Sequence, residues 1–372
     1  LNIMHKQVTI IFASIFSLIS VGDLVGNRSF FPVLNTMPAY AAPKEASIGT
    51  AYSYTMQAID KHRKGDYSGA IIDYTKALEI DPNYTYALHN RGFAKNIIGD
   101  YEGALIDLNQ VIKLDPKDIN SYKSRAVAKD GLGDYEGAIL DINFVVNINP
   151  KDLRAIISRG QIKSKINDHS GSIKDYSRVL ELDPNNKDAI YLRGVEKYKL
   201  KNYQDAIDDF NIGIKLDPQD YRFFEGLGVS KFGLKDFLGS MKDYAIALEI
   251  NPKISTIYYS RGNSKMELKD FEGAISDFSK AIEINPNYEN AYVNRGISRK
   301  NIKDFKGSII DYEKALSINS KDANTFHNLA LSKKEIEDIE GACLAMEKSL
   351  SLGNKLASKF IENECKEKLK NA

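Results

Sequence analysis

Small and bulky apolar residues recur along this chain with a period of 34 residues. With Ala51 as position 1 of a unit, position 8 is small nine times: Ala58, Gly92, Ala126, Gly160, Gly194, Gly228, Gly262, Gly296 and Ala330. Position 20 is Ala or Ser throughout, from Ala70 to Ala342, and position 24 carries the bulk, as in Tyr74, Leu108, Tyr176, Phe210 and Phe278. The spacings 4, 8, 11 and 20, 24, 27 each lie on one helical face, so every unit is predicted to hold two helices. Small residues let the helices approach, and the large residue of one fills the groove of the other.

Polar positions punctuate the same register. Position 16 is Asp or Asn in all nine units, as at Asp66, Asp100 and Asn202, which suits the N-cap of the second helix. Gly65, Gly99 and Gly133 precede it as left-handed C-caps, whereas later units place Lys or Glu there, predicting a strained turn. Asp-Pro or Asn-Pro at positions 31–32 ends the second helix seven times, from Pro82 to Pro286; the eighth station, Ser320, has lost the proline. The expected organisation is an all-α solenoid of nine units, 51–84, 85–118, 119–152, 153–186, 187–220, 221–254, 255–288, 289–322 and 323–356. A segment 1–41, a linker 42–50 and a capping helix 357–372 flank it.

A helix-turn-helix of 34 residues, small at 8 and 20, bulky at 24 and Pro at 32, resembles the tetratricopeptide repeat over residues 51–356. The resemblance implies a right-handed superhelix whose concave surface is lined by the first helices. Phrases such as Gly99-Asp100-Tyr101-Glu102-Gly103-Ala104 are similar to exported bacterial members, cyanobacterial ones in particular. Such proteins often assist the assembly of membrane complexes.

Two departures from the family pattern stand out. Position 4 holds no tryptophan, and position 11, usually aromatic in the family, is basic in every unit. The basic ladder includes Lys95, Lys129, Lys163, Lys197 and Lys265, with Arg at position 7 in six units. Position 23 on the second helix is Asp in eight units, among them Asp107, Asp141, Asp175, Asp209 and Asp277. These are expected to pair as a structural ladder. The competing reading is a lysine-lined groove for an anionic ligand. Unit nine has Ala345 in place of the Asp, so Lys333 is expected to lie unpaired.

The resemblance assigns partner contact mainly to positions 2, 5, 9, 12 and 13 of the first helices, and in some members to asparagines at position 6. Here those positions hold Phe93, Tyr191, Val195, Tyr198, Val229, Phe232, Tyr259 and Met266, with Asn294 and Asn328 placed to hydrogen-bond a peptide backbone. The expected partner is a protein or peptide, held by a non-enzymatic scaffold or assembly factor. The family's carboxylate clamp is not found in order in three consecutive units.

Ala357, Phe360, Ile361, Cys365 and Leu369 form one stripe on the capping segment. A hairpin centred near Asn354 sets Cys343 and Cys365 at the same height, eleven residues on either side, and predicts a disulfide in an oxidising compartment. Two buried thiols are the alternative.

Val8–Val21 is a 14-residue apolar stretch after His5 and Lys6, the length of a signal-peptide core, and Ala39-Tyr40-Ala41 offers a cleavage site. Export to a periplasm or thylakoid lumen is expected. An uncleaved membrane anchor at residues 1–41 is the alternative, since about twenty residues separate core from site. The 51 basic and 50 acidic residues leave a net charge of +1, no footprint for nucleic acid. Two cysteines and five histidines in no metal spacing predict no metal, no cofactor and no catalytic residues.

Overall fold

The computed structural model describes residues 48–365, with helices joined by short connections and no strand among the described residues. The apolar stretch Val8–Val21, the cleavage site at Ala41 and Leu369 lie outside the described residues. Among those described, no helix is long and apolar enough to cross a membrane.

The chain divides into two compact units between Leu200 and Lys201. The first holds α1 (Ile48–Arg63), α2 (Tyr67–Ile80), α3 (Thr85–Ile98), α4 (Tyr101–Leu114), α5 (Ile119–Gly131), α6 (Tyr135–Ile148), α7 (Leu153–Lys165), α8 (His169–Leu182) and α9 (Lys187–Lys199). The second begins with α10 (Tyr203–Leu216), α11 (Tyr221–Gly233), α12 (Phe237–Ile250), α13 (Ser255–Glu267) and α14 (Phe271–Ile284). It continues with α15 (Glu289–Asn301), α16 (Phe305–Ile318), α17 (Ala323–Glu335), α18 (Ile339–Ser351) and α19 (Ala357–Phe360). Odd-numbered helices up to α17 are the first helices of the repeats. Within each unit successive helices pack on one another, and neighbouring first helices also touch: α3 with α5, and α11 with α13, α13 with α15 and α15 with α17. In the second unit the stack is therefore tight along the first helices.

The small and bulky positions meet as the pattern requires. Tyr176 and Tyr312 are fully buried. A Cβ at Gly160 would come within 2.7 Å of the Tyr176 ring, and one at Gly296 within 2.6 Å of Tyr312. Each buried ring favours folding by about 2–3 kcal/mol, and close helix approach is the condition for it.

Aspartate caps start the second helices: Asp66, Asp100, Asp134, Asp168, Asp236, Asp270, Asp304 and Asp338 each accept the backbone N–H three residues on. That residue is glycine in all eight, and a Cβ there would collide with the capping carboxylate. Unit five has Asp205 instead of glycine, Asn202 as the cap residue, and no side-chain cap bond. In the preceding turn, Gly65, Gly99 and Gly133 are left-handed, but so are Asn167, Lys201, Lys235, Lys269, Lys303 and Glu337, at φ of 61–65°. For L-residues that conformation is strained.

Of the expected capping helix 357–372, residues 366–372 lie outside the described residues, and the part described, 357–365, is helical. α19 has four residues and runs directly into a π turn, Ile361–Cys365. Ala357 is buried there, and Phe360 and Ile361 pack against the cluster of Tyr312, Leu329, Ala345 and Met346.

Candidate interaction surface

The position-23 aspartates sit between the two helices of a repeat, and five of them meet two cations each where position 7 is Arg. Asp107 bonds Arg91 at 2.6 Å and Lys95 at 2.9 Å; Asp141 bonds Arg125 at 2.6 Å and Lys129 at 2.9 Å. Asp175 is held by Arg159 and Lys163 and Asp277 by Arg261 and Lys265, at 2.6 and 2.8 Å in both pairs. Asp311 is held by Arg295 and Arg299 at 2.6 and 2.9 Å. The Lys95, Lys129 and Lys265 ammoniums also donate to the carbonyls of Gly103, Gly137 and Gly273. Lys197 and Asp209 fall on either side of the division between units, and both have polar partners.

Four of these arginines have a further use that the register did not reveal. In each, the second guanidinium nitrogen reaches back to position 25 of the preceding repeat: Arg91 to Thr75, Arg125 to Asn109, Arg159 to Asn143 and Arg295 to Ser279, at 2.8–3.1 Å. One guanidinium thus ties both helices of its own repeat to the repeat before. The polar residues at position 25 were the available signal. Asp243 has Leu227 at position 7 of its repeat and, among the described residues, pairs only with Lys231, at 2.7 Å. Burial raises its carboxyl above the usual range, and Lys231 opposes that shift. Lys333 departs from expectation: without its Asp it reaches Glu313 of the preceding repeat at 3.4 Å and Asp338 at 3.7 Å. A flexible stem lets the ammonium find other carboxylates. The ladder lysines described here are thus engaged by carboxylates, which leaves little free charge for an anionic ligand.

Residues expected to contact a partner lie at unequal depths. In the first unit Tyr191 and Val195 are buried, whereas Phe93 and Tyr198 are half-buried, Phe93 stacking on His62 with ring centroids 5.4 Å apart. In the second unit Val229, Phe232, Tyr259 and Asn294 are buried, while Met266 and Asn328 are half-buried. Helical register assigns a face but not a depth, and these apolar side chains fill the junction between neighbouring repeats. The Asn294 amide donates to the Tyr259 hydroxyl at 3.1 Å and to Asn263 at 2.8 Å, so both its N–H groups are used inside the protein. Asn90 is likewise turned inward, donating to the Tyr86 carbonyl.

Other polar groups on the first helices of the second unit lack such partners. Glu225, at position 5 of α11, is half-buried and has no hydrogen-bond or ion-pair partner among the described residues. Burial pushes its carboxyl up to about 7. Lys300 on α15 has no bonded partner among them either, and burial lowers its ammonium, with Glu335 opposing. His327 on α17 has a buried Nδ1 without a hydrogen bond, and burial together with Lys300 lowers its imidazole. No group of three or more potential metal ligands occurs among the described residues. The two cysteines are joined, with Sγ atoms 2.09 Å and Cα atoms 5.8 Å apart.

Stacked helix pairs tied by repeated ion-pair clamps define a helical-repeat solenoid, the class of protein that presents surfaces to other proteins. Tetratricopeptide repeat models match residues 85–118, 158–221, 255–288 and 289–322, and a TPR repeat model matches 61–96, together about half of the chain. The chain belongs to the tetratricopeptide repeat family, a family of protein-interaction scaffolds. Among solved structures it is similar to a tetratricopeptide repeat protein from Parabacteroides merdae, with 23% identity and a TM-score of 0.55, over 67% of this chain and 98% of that one. It is also similar to the APC/C hetero-tetramer Cut9–Hcn1, with 14% identity and a TM-score of 0.51, over 84% of this chain and 76% of that one. These likenesses concern the fold. No curated protein matches the chain.

Proposed function

We propose that the protein is a non-enzymatic scaffold that binds an extended segment of a partner protein along its first helices, as an assembly factor would. One contrast supports this reading. The charges between first and second helices are matched within the protein, whereas Glu225, Lys300 and the buried Nδ1 of His327 on the first helices of the second unit are not. Unmatched buried polar groups cost free energy, and a bound segment that satisfies them recovers it. Affinity capture with Y198A/M266A/N328A against wild type tests the reading. Loss of the captured partners in the variant supports it; partners retained equally by both refute it.

We further infer that the protein is exported, with residues 1–41 removed. The apolar stretch Val8–Val21 and the Ala39-Tyr40-Ala41 site motivate this, and the Cys343–Cys365 pair suits an oxidising compartment. N-terminal sequencing of the mature protein decides it: a start at Ala42 supports export with cleavage, and a retained N-terminus favours the membrane-anchored form.

A further inference from the structure

Glu225 is the one carboxylate at position 5 of any first helix, a position held elsewhere by Thr, His, Lys, Ile, Tyr or Val. Tyr221 lies one helical turn before it on the same face of α11; burial raises the hydroxyls of Tyr221 and of Tyr288, the residue before α15, and the charge of Glu225 adds to both shifts. Tyr288 in turn packs on Tyr259 with ring centroids 4.9 Å apart. A carboxylate set beside tyrosines and lacking a counter-ion is the complement of a lysine or arginine side chain. The charge attracts the cation, and the ring faces favour it further.

Two repeats further on, the sign reverses. Lys300 and His327 are neighbours on α15 and α17 with no carboxylate bonded to either among the described residues, and Asn328 beside them is half-buried and unbonded. Lys334 on α17 is already taken, bonding Glu364 of the cap at 2.6 Å. The two unmatched places are thus of opposite sign and lie on the same row of helices within one compact unit.

We propose that the second unit binds an extended, dipolar segment of a partner protein in a fixed direction, seating a Lys or Arg side chain at Glu225 and a carboxylate at Lys300 and His327. This rests on the reading of the protein as a partner-binding scaffold and adds the chemistry and polarity of what it holds. Tight pairing at a deep site forms charge-assisted hydrogen bonds that neither group makes in the free protein. Burial raises the carboxyl of Glu225 and lowers the ammonium of Lys300, the latter against the opposing charge of Glu335, which is not bonded to it.

The test is selection from a random library of short displayed peptides by the full chain, run in parallel with E225Q and K300Q. The expected result is enrichment of peptides that carry a basic and an acidic residue in constant order. E225Q is expected to lose the basic preference by about tenfold while keeping the acidic one, and K300Q the reverse. Glutamine at either site removes a buried charge, so both variants are expected to fold. Peptides enriched equally by all three proteins, without charge preference, overturn the proposal and leave the scaffold reading intact. A wild-type protein that enriches no peptide overturns both.

Discussion

Arg125 donates to both oxygens of Asp141, Lys129 shares Oδ2, and Arg125 passes the contact on to Asn109 of the preceding repeat. Such a cluster adds little net stability over an apolar set, because desolvation offsets attraction, yet it is costly to break. D141N is expected to destabilise the α5–α6 pair by about 3 kcal/mol, read as lost hydrogen-exchange protection in those helices. The combined D141L/R125M/K129M is expected to recover most of that loss. A small effect of D141N would mean that the ladder is ornamental. Glu225 predicts the opposite behaviour. Its carboxyl is raised from 4.5 to about 7, so the folded state favours the neutral form. The penalty is absent below the unfolded value and grows as pH rises to the folded one. E225Q is therefore expected to gain nothing near about pH 4 and up to about 3 kcal/mol near about pH 8, by urea denaturation at both. A gain independent of pH contradicts the assignment.

At the scale of the element, the turn between paired helices holds the strain. Lys235 and Lys269 stand in the left-handed conformation that Gly99 and Gly133 adopt freely. K235G and K269G are each expected to raise stability by about 0.5–1 kcal/mol, visible as a higher denaturation midpoint. At the next step of the same turn the expectation inverts. G137A puts a methyl group against the Asp134 carboxylate that caps α6, and is expected to cost about 1 kcal/mol. The cap at the other end is held by the Cys343–Cys365 link across a separation of 22 residues. Serine at both positions is expected to cost up to about 3 kcal/mol and to loosen α18 and α19 before the remaining helices, as hydrogen exchange would show. Uniform exchange along the second unit would deny the cap a separate role.

At the scale of the whole chain, the repeat was legible because each of its positions recurs nine times, so one exception does not blur the register. Helices, turns and ladder followed from it. Depth was not legible. Phe232 and Tyr259 lie on the expected helices but pack into the junctions between repeats, which depends on how far neighbouring repeats approach. Glu225 was missed because the apolar residues around it suggested contact by burial, while its rarity at position 5 pointed to charge. The hydrogen bonds of Asn294 to Tyr259 and Asn263 join residues 35 and 31 apart, a distance no local pattern encodes.

The central claim is that partners bind along the first helices while the ladder behind them serves the fold. A photo-crosslinking residue placed at Met266, half-buried on α13, or at Ile310, 64% exposed on the second helix α16, tests it within one unit. Partner adducts from position 266 and not from 310 are the predicted result. Adducts from position 310 alone, or from both positions equally, would contradict it.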